Sequence, residues 1–139
     1  MTTRAEIIAE ARSWSGTPHV HQGRLKGIAC DCAGLIVRVP IACGLFPPDF
    51  EITKYSAHPD PTLMGKVLKQ FLDPVNRPKK GGDVLFLRPR HLPQHTAIYT
   101  FDNTIIHAID RKRGVREHIL DKRWSDAIVA VYSYRNLDD

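Results

Sequence analysis

The sequence predicts an α+β fold, with helices in the amino-terminal half and an antiparallel β-sheet in the carboxyl-terminal half. Three observations carry that expectation. Apolar residues recur with helical spacing in the segments before Gly81, those after Gly82 fall into short β-branched and aromatic stretches, and the Gly81-Gly82 pair separates the two regimes. No internal repeat, low-complexity tract or linker divides the chain, so one domain over residues 1–139 is expected.

From Thr3 to Trp14, residues Ile7, Ile8, Ala11 and Trp14 share one helix face, and Thr3 with Glu6 makes a capping box. The stretch from Gly16 to Gly23 breaks that period, and an irregular loop is expected through Gly27 to Asp31. Asp31 can cap a second helix that carries Cys32 in its first turn and aligns Cys32, Leu35, Ile36 and Val39 on one face. Pro40 is expected to kink or end this helix, because proline lacks the N–H of the helical ladder. Residues 44–60 read as an irregular excursion, after which Asp60-Pro61 is an N-cap with proline at the first position of a third helix reaching about Asp73. Strands are expected over 83–87, 95–100, 104–109, 115–119 and 127–134.

Composition narrows the function classes. With 42% hydrophobic and 25% charged residues the chain is neither disordered, collagen-like nor a coiled coil. Its longest apolar stretch, Cys32 to Leu45, is broken by Arg38 and Pro40 and is shorter than the ~20 residues needed to cross a bilayer, so no membrane insertion is expected. The N-terminus has no signal-peptide pattern, which implies a cytoplasmic location on synthesis. Three cysteines, two of them too close to bridge, suit free thiols in a reducing compartment. A net charge of +5 leaves polyanions open as partners. The basic runs Arg77 to Lys80, Arg88 to Arg90, and Arg111 to Arg113 through Lys122-Arg123 lack aromatic interleaving or a recognition helix, so they read as solvated faces and no nucleic-acid partner is expected.

A cysteine at a helix start meets free backbone N–H groups and the positive end of the helix dipole, which favour its thiolate. Cys32 has that position, and acyl transfer would further require a base and a group to orient the base. His95 and His107 lie on successive predicted strands. Their rings share a face if Tyr99 lies opposite Asn103 and Thr100-Phe101-Asp102 forms the loop; a two-residue Asp102-Asn103 turn without a bulge would send them to opposite faces. In the first register a helix-borne thiol, an imidazole base and a second imidazole come together. Backbone N–H groups from Asp31 to Ala33 are the natural oxyanion donors, with His19 or His21 assisting.

The segments Asp31-Cys32-Ala33-Gly34-Leu35-Ile36, His95-Thr96-Ala97-Ile98-Tyr99 and Ile106-His107-Ala108 resemble the motifs of NlpC-type cell-wall cysteine peptidases. That family places its nucleophile in Asp-Cys-Ser-Gly-Leu, its base in His-Val-Gly-Ile-Tyr and a third polar residue about twelve positions on. The resemblance implies a papain-like fold in which Cys32 is the nucleophile, His95 the base and His107 the orienting residue, with no cofactor and no metal. It also implies a peptidoglycan stem peptide as substrate, cut between γ-D-glutamate and a diamino acid. The segment from Trp14 to Gly23, the Gly82-Asp83 start of the strand before His95, and Cys30-Asp31-Cys32 resemble the branch encoded with phage tails, which implies tail proteins as partners and delivery to the wall in a particle. Ala33 departs from the family's usual serine, and His19, or alternatively His21, stands where many members carry an oxyanion-binding tyrosine.

Simpler roles suit the remaining residues. Cys43 reads as core, Cys30 equally as core or as a redox partner, and His58, His91 and His118 as loop or solvent-facing positions. Zinc on Cys30, Cys32, His95 and His107 is not expected, because alternating residues at a helix entry seldom converge on one ion. Two other functions remain: a non-catalytic structural component of a tail, and an amidase or acyltransferase on the same three residues.

Overall fold

Both expected helix caps at the start of the chain form. In the structure, a computed structural model that describes residues 1–52, 63–89 and 94–138, helix α1 spans Arg4–Arg12. The Thr3 hydroxyl accepts the Glu6 N–H at 3.1 Å and the Glu6 carboxylate accepts the Thr3 N–H at 3.3 Å, which satisfies donors that have no partner within the helix. Helix α2 spans Cys32–Ala42 and is capped by Asp31, whose carboxylate accepts the Gly34 N–H at 2.7 Å.

Contrary to expectation, Pro40 lies inside α2. A proline at this position leaves the carbonyl four residues earlier, that of Ile36, without its helical donor. The Tyr134 hydroxyl supplies the missing hydrogen bond at 2.8 Å, so tertiary packing makes the proline tolerable. Helix α3 (Leu63–Phe71) ends before Asp73, because Leu72–Pro74 forms strand β3; the expected Asp60-Pro61 cap lies outside the described residues.

The expected loop between α1 and α2 contains a two-stranded hairpin, β1 (Arg24–Leu25) with β2 (Ala29–Cys30). The main sheet adds β4 (Val84–Leu87), β5 (His95–Tyr99), β6 (Thr104–Ala108), β7 (Val115–Ile119) and β8 (Ile128–Tyr134) to β3. Its order is β3-β8-β4-β5-β6-β7, with every neighbouring pair antiparallel. A short helix not read from the sequence, α4 (Lys122–Asp126), precedes β8 and is capped by Asp121, whose carboxylate accepts the Trp124 N–H at 3.1 Å.

The β5–β6 register also departs from expectation: Tyr99 lies opposite Ile105, not Asn103. Thr100 donates its N–H to the Thr104 carbonyl at 3.0 Å, leaving Phe101, Asp102 and Asn103 as the loop. Asn103 adopts φ 55°, a left-handed conformation asparagine tolerates, and this closes the turn one residue later than expected. The shift preserves parity, so His95 and His107 still share a face, but diagonally rather than directly opposed.

The sheet carries two apolar layers. On one face Ile7, Leu35, Ile36 and Val39 of the helices pack against Val84, Phe86, Ile98, Ile106 and Tyr132. On the other, Leu85, Leu87, Ala97 and Ile105 meet Leu120 and Trp124. The fully buried Asp83 ties α1 to the sheet, its carboxylate accepting from Arg4 at 2.8 Å, Arg77 at 3.0 Å and the Lys80 N–H at 2.7 Å. Buried carboxylates need such partners to offset lost hydration.

Candidate active site

Asp31 organises the start of α2. Besides the Gly34 N–H, its carboxylate accepts from the Arg24 guanidinium at 2.9 Å and the Gln22 N–H at 2.7 Å, and the His21 imidazole lies 3.8 Å away. These bonds fold the 21–24 loop onto the first turn of α2. A side chain at Gly34 would collide with the Gly23 carbonyl, which gives a packing reason for glycine two residues after Cys32. As a hydrogen-bond acceptor committed to this scaffold, the Asp31 side chain offers nothing to an oxyanion; only backbone N–H groups near it can.

Cys32 opens α2 and His95 opens β5, and they lie at the same end of the sheet because the Thr96 hydroxyl donates to the Cys32 carbonyl at 3.2 Å. Among the described residues no hydrogen bond joins the thiol to His95. The expected low thiol pKa is not found. Burial, with the Asp31 carboxylate next, pushes the Cys32 thiol up, and contacts from Thr96 and the Ala33 N–H oppose this only in part. Cys32 is half-buried, and desolvation outweighs the hydrogen bonds offered at the helix start because a thiolate loses hydration as it is covered.

The histidines meet. His95 Nε2 lies 2.6 Å from His107 Nδ1, and the His107 ring is fully buried. Burial pushes the His95 imidazole down to about 4, with His19 acting in the same direction and Asp110 and Asp31 opposing. Burial likewise pushes His107 down to about 2, with His95, His118 and Arg113 adding. Burial thus favours the neutral form of both rings, and of the thiol beside them.

His19 and His21 diverge. His21 turns to Asp31, whereas His19 pairs its backbone with Cys30, keeps its Nδ1 buried without a hydrogen-bond partner among the described residues, and lowers the pKa of His95 by its proximity. Ala33 is fully buried, with its backbone in the first turn of α2.

Three residues near the site were not among those expected there. His118, expected to face solvent, is half-buried and places Nε2 2.7 Å from His107 Nε2. Trp124 stacks edge-on against the His107 ring, with centroids 4.9 Å apart. Gln94, directly before His95, is buried with neither amide atom hydrogen-bonded among the described residues. The parity of the 115–119 strand could have identified His118; nothing local marks the other two.

Cys30 belongs to the core, where burial pushes its thiol up to about 12. Cys43 is half-buried against the same core. His58 and His91 lie outside the described residues, as does Arg90. Among the described residues no group of three or more histidine, cysteine or carboxylate side chains could hold a metal ion, and no helix is long and apolar enough to cross a membrane.

Comparison with known folds agrees with this architecture. The chain is similar to the NlpC/p60 domain of the peptidoglycan hydrolase SagA, at 23% identity and a TM-score of 0.65, over 95% of this chain and 99% of that one. It is also similar to an NlpC/P60 family protein from Bacillus cereus, at 18% identity and a TM-score of 0.69, over 95% of this chain but 40% of that one. Similarity to the peptidoglycan hydrolase RipB from Mycobacterium tuberculosis reaches 21% identity and a TM-score of 0.56, over 98% of this chain and 65% of that one. The chain thus spans less than two thirds of the last two proteins. No curated protein matches it. The NlpC/P60 family model matches residues 16–133, a stretch that holds Cys32, His95 and His107, and the chain belongs to that family.

Proposed function

We propose that this protein is a cysteine endopeptidase that cuts peptidoglycan stem peptides, at the bond between γ-D-glutamate and a diamino acid. The observation that carries the reading is the 2.6 Å contact between His95 and His107 at the end of the sheet where Cys32 begins α2, within an NlpC/P60 domain.

The chemistry begins from the neutral pair. As the Cys32 sulfur attacks the peptide carbonyl, His95 takes the thiol proton and His107 holds the resulting imidazolium in place. The oxyanion is met by backbone N–H groups of Cys32 and Ala33, with His19 as the side-chain donor. The imidazolium gives its proton to the leaving amine, which departs and leaves a thioester. His95 then takes a proton from water, whose oxygen attacks the thioester carbonyl and releases the carboxylic acid and the thiol. The step uses no metal or cofactor, since the imidazole activates the nucleophile.

The resemblance of residues 14–23, 30–32 and 82–86 to tail-encoded members supports a setting in which the chain is made in the cytoplasm and reaches the wall within a particle or by lysis. Digestion of purified peptidoglycan, followed by mass spectrometry of the products, tests the activity. New γ-D-glutamyl carboxylates and diamino-acid amines that vanish with Cys32→Ala are the expected result. Release of free ammonia, or transfer to an added amine, would instead mark an amidase or acyltransferase. Particle assembly unaffected by Cys32→Ala but stopped by deleting the chain would mark a structural tail component.

A further inference from the structure

Three imidazoles cross the sheet in one diagonal row. His95 on β5, His107 on β6 and His118 on β7 share the face covered by Trp124, each displaced along the sheet from the last because Ile98 pairs with Ile106 and Ile105 with His118. The contacts are His95 Nε2 to His107 Nδ1 at 2.6 Å, His107 Nε2 to His118 Nε2 at 2.7 Å, and His118 Nδ1 to the Ile119 carbonyl at 2.9 Å.

A carbonyl oxygen can only accept, so His118 must donate from Nδ1. A neutral His118 then has its lone pair on Nε2, and His107 must donate to it from its own Nε2. That leaves the His107 lone pair on Nδ1, where it accepts from His95 Nε2–H. The single lone pair remaining in the row is on His95 Nδ1. We infer that His118, anchored by the Ile119 carbonyl, is a positioning residue that dictates the tautomers of His107 and His95 and so leaves His95 Nδ1 free to act as the base. Without an acceptor at position 118, His107 is free to carry its proton on Nδ1. His95 would then have to accept through Nε2 and carry its proton on Nδ1, which removes the base. Trp124, with centroids 4.9 Å from His107 and 5.4 Å from His118, packs against both rings and holds them in the row. The inference rests on His95 being the base of the proposed peptidase.

Nitrogen-resolved NMR of histidine-labelled protein near neutral pH tests it without substrate. The expected wild-type pattern is protonated Nε2 and bare Nδ1 on His95 and His107, and the reverse on His118. His118→Phe should scramble the His107 and His95 tautomers and lower kcat by about tenfold to a hundredfold, part of the roughly 10²- to 10⁴-fold that a general base contributes, with little change in KM. His118→Gln presents a carbonyl acceptor to His107 and should restore both the tautomers and most of kcat. Wild-type His107 protonated on Nδ1, or His118→Phe with unchanged tautomers and kcat, would overturn the inference. Correct tautomers in a wild-type protein that cleaves no stem peptide would instead count against the peptidase reading and leave the relay standing.

Discussion

Burial of two neutral histidines makes the stability of this domain depend steeply on mild acid. In the unfolded chain His95 and His107 take up protons at the ordinary histidine value of 6.5, whereas in the fold burial holds them down to about 4 and about 2. Between about 6.5 and 4 the unfolded state therefore binds more protons than the native state, and stability falls as pH falls. Each histidine contributes a slope of about 1.4 kcal/mol per pH unit, so the two together remove roughly 5 kcal/mol over about two units. That loss approaches the whole net stability of many domains, about 5–15 kcal/mol. The depressed carboxylates Asp110 and Glu117 titrate in a more acidic range and do not produce this slope. Urea unfolding monitored by tryptophan fluorescence at a series of pH values measures it directly, and His107→Asn should roughly halve it. A free energy of unfolding that stays level between about pH 6.5 and 5 would refute the claim that both rings are buried neutral.

Further predictions concern single residues. Because burial and Asp31 push the Cys32 thiol up, iodoacetamide should alkylate it slowly at neutral pH and faster only in alkali; rapid labelling well below pH 7, read by mass spectrometry, would show an ion-paired thiolate instead. Asp83→Ala strips the buried Arg4 of its carboxylate and should cost about 3–5 kcal/mol in denaturant unfolding, while a cost under about 1 kcal/mol would contradict the role of this ion pair. Tyr134→Phe leaves the Ile36 carbonyl beside Pro40 without its donor and should cost about 1–3 kcal/mol without altering turnover per folded molecule; unchanged stability would mean that α2 carries Pro40 unaided.

Local chemistry was enough to read much of this fold. The Thr3 and Glu6 box, the Asp31 cap and the alternation in the second half depend on neighbours within a few residues, so the helix starts and five of the sheet strands follow from the chain itself. Placement of Cys32 in a first helical turn came from the same short-range signals, whereas whether His95 and His107 share a face stayed open between two registers until the structure showed a third that keeps them together.

Features set by distant partners were misread or missed. Pro40 looks like a helix terminator until Tyr134, almost a hundred residues on, supplies its turn with a hydrogen bond. Leu72–Pro74 becomes a strand because β8 is there to pair with it, and Trp124 matters because three imidazoles pack against it. His118 reads as a surface histidine by itself, yet the register of two strand pairs aligns it with His107. The Cys32 thiol shows the physical reason most clearly. The helix start is written beside it in the chain, whereas the burial that raises the thiol pKa is created by the packed molecule as a whole.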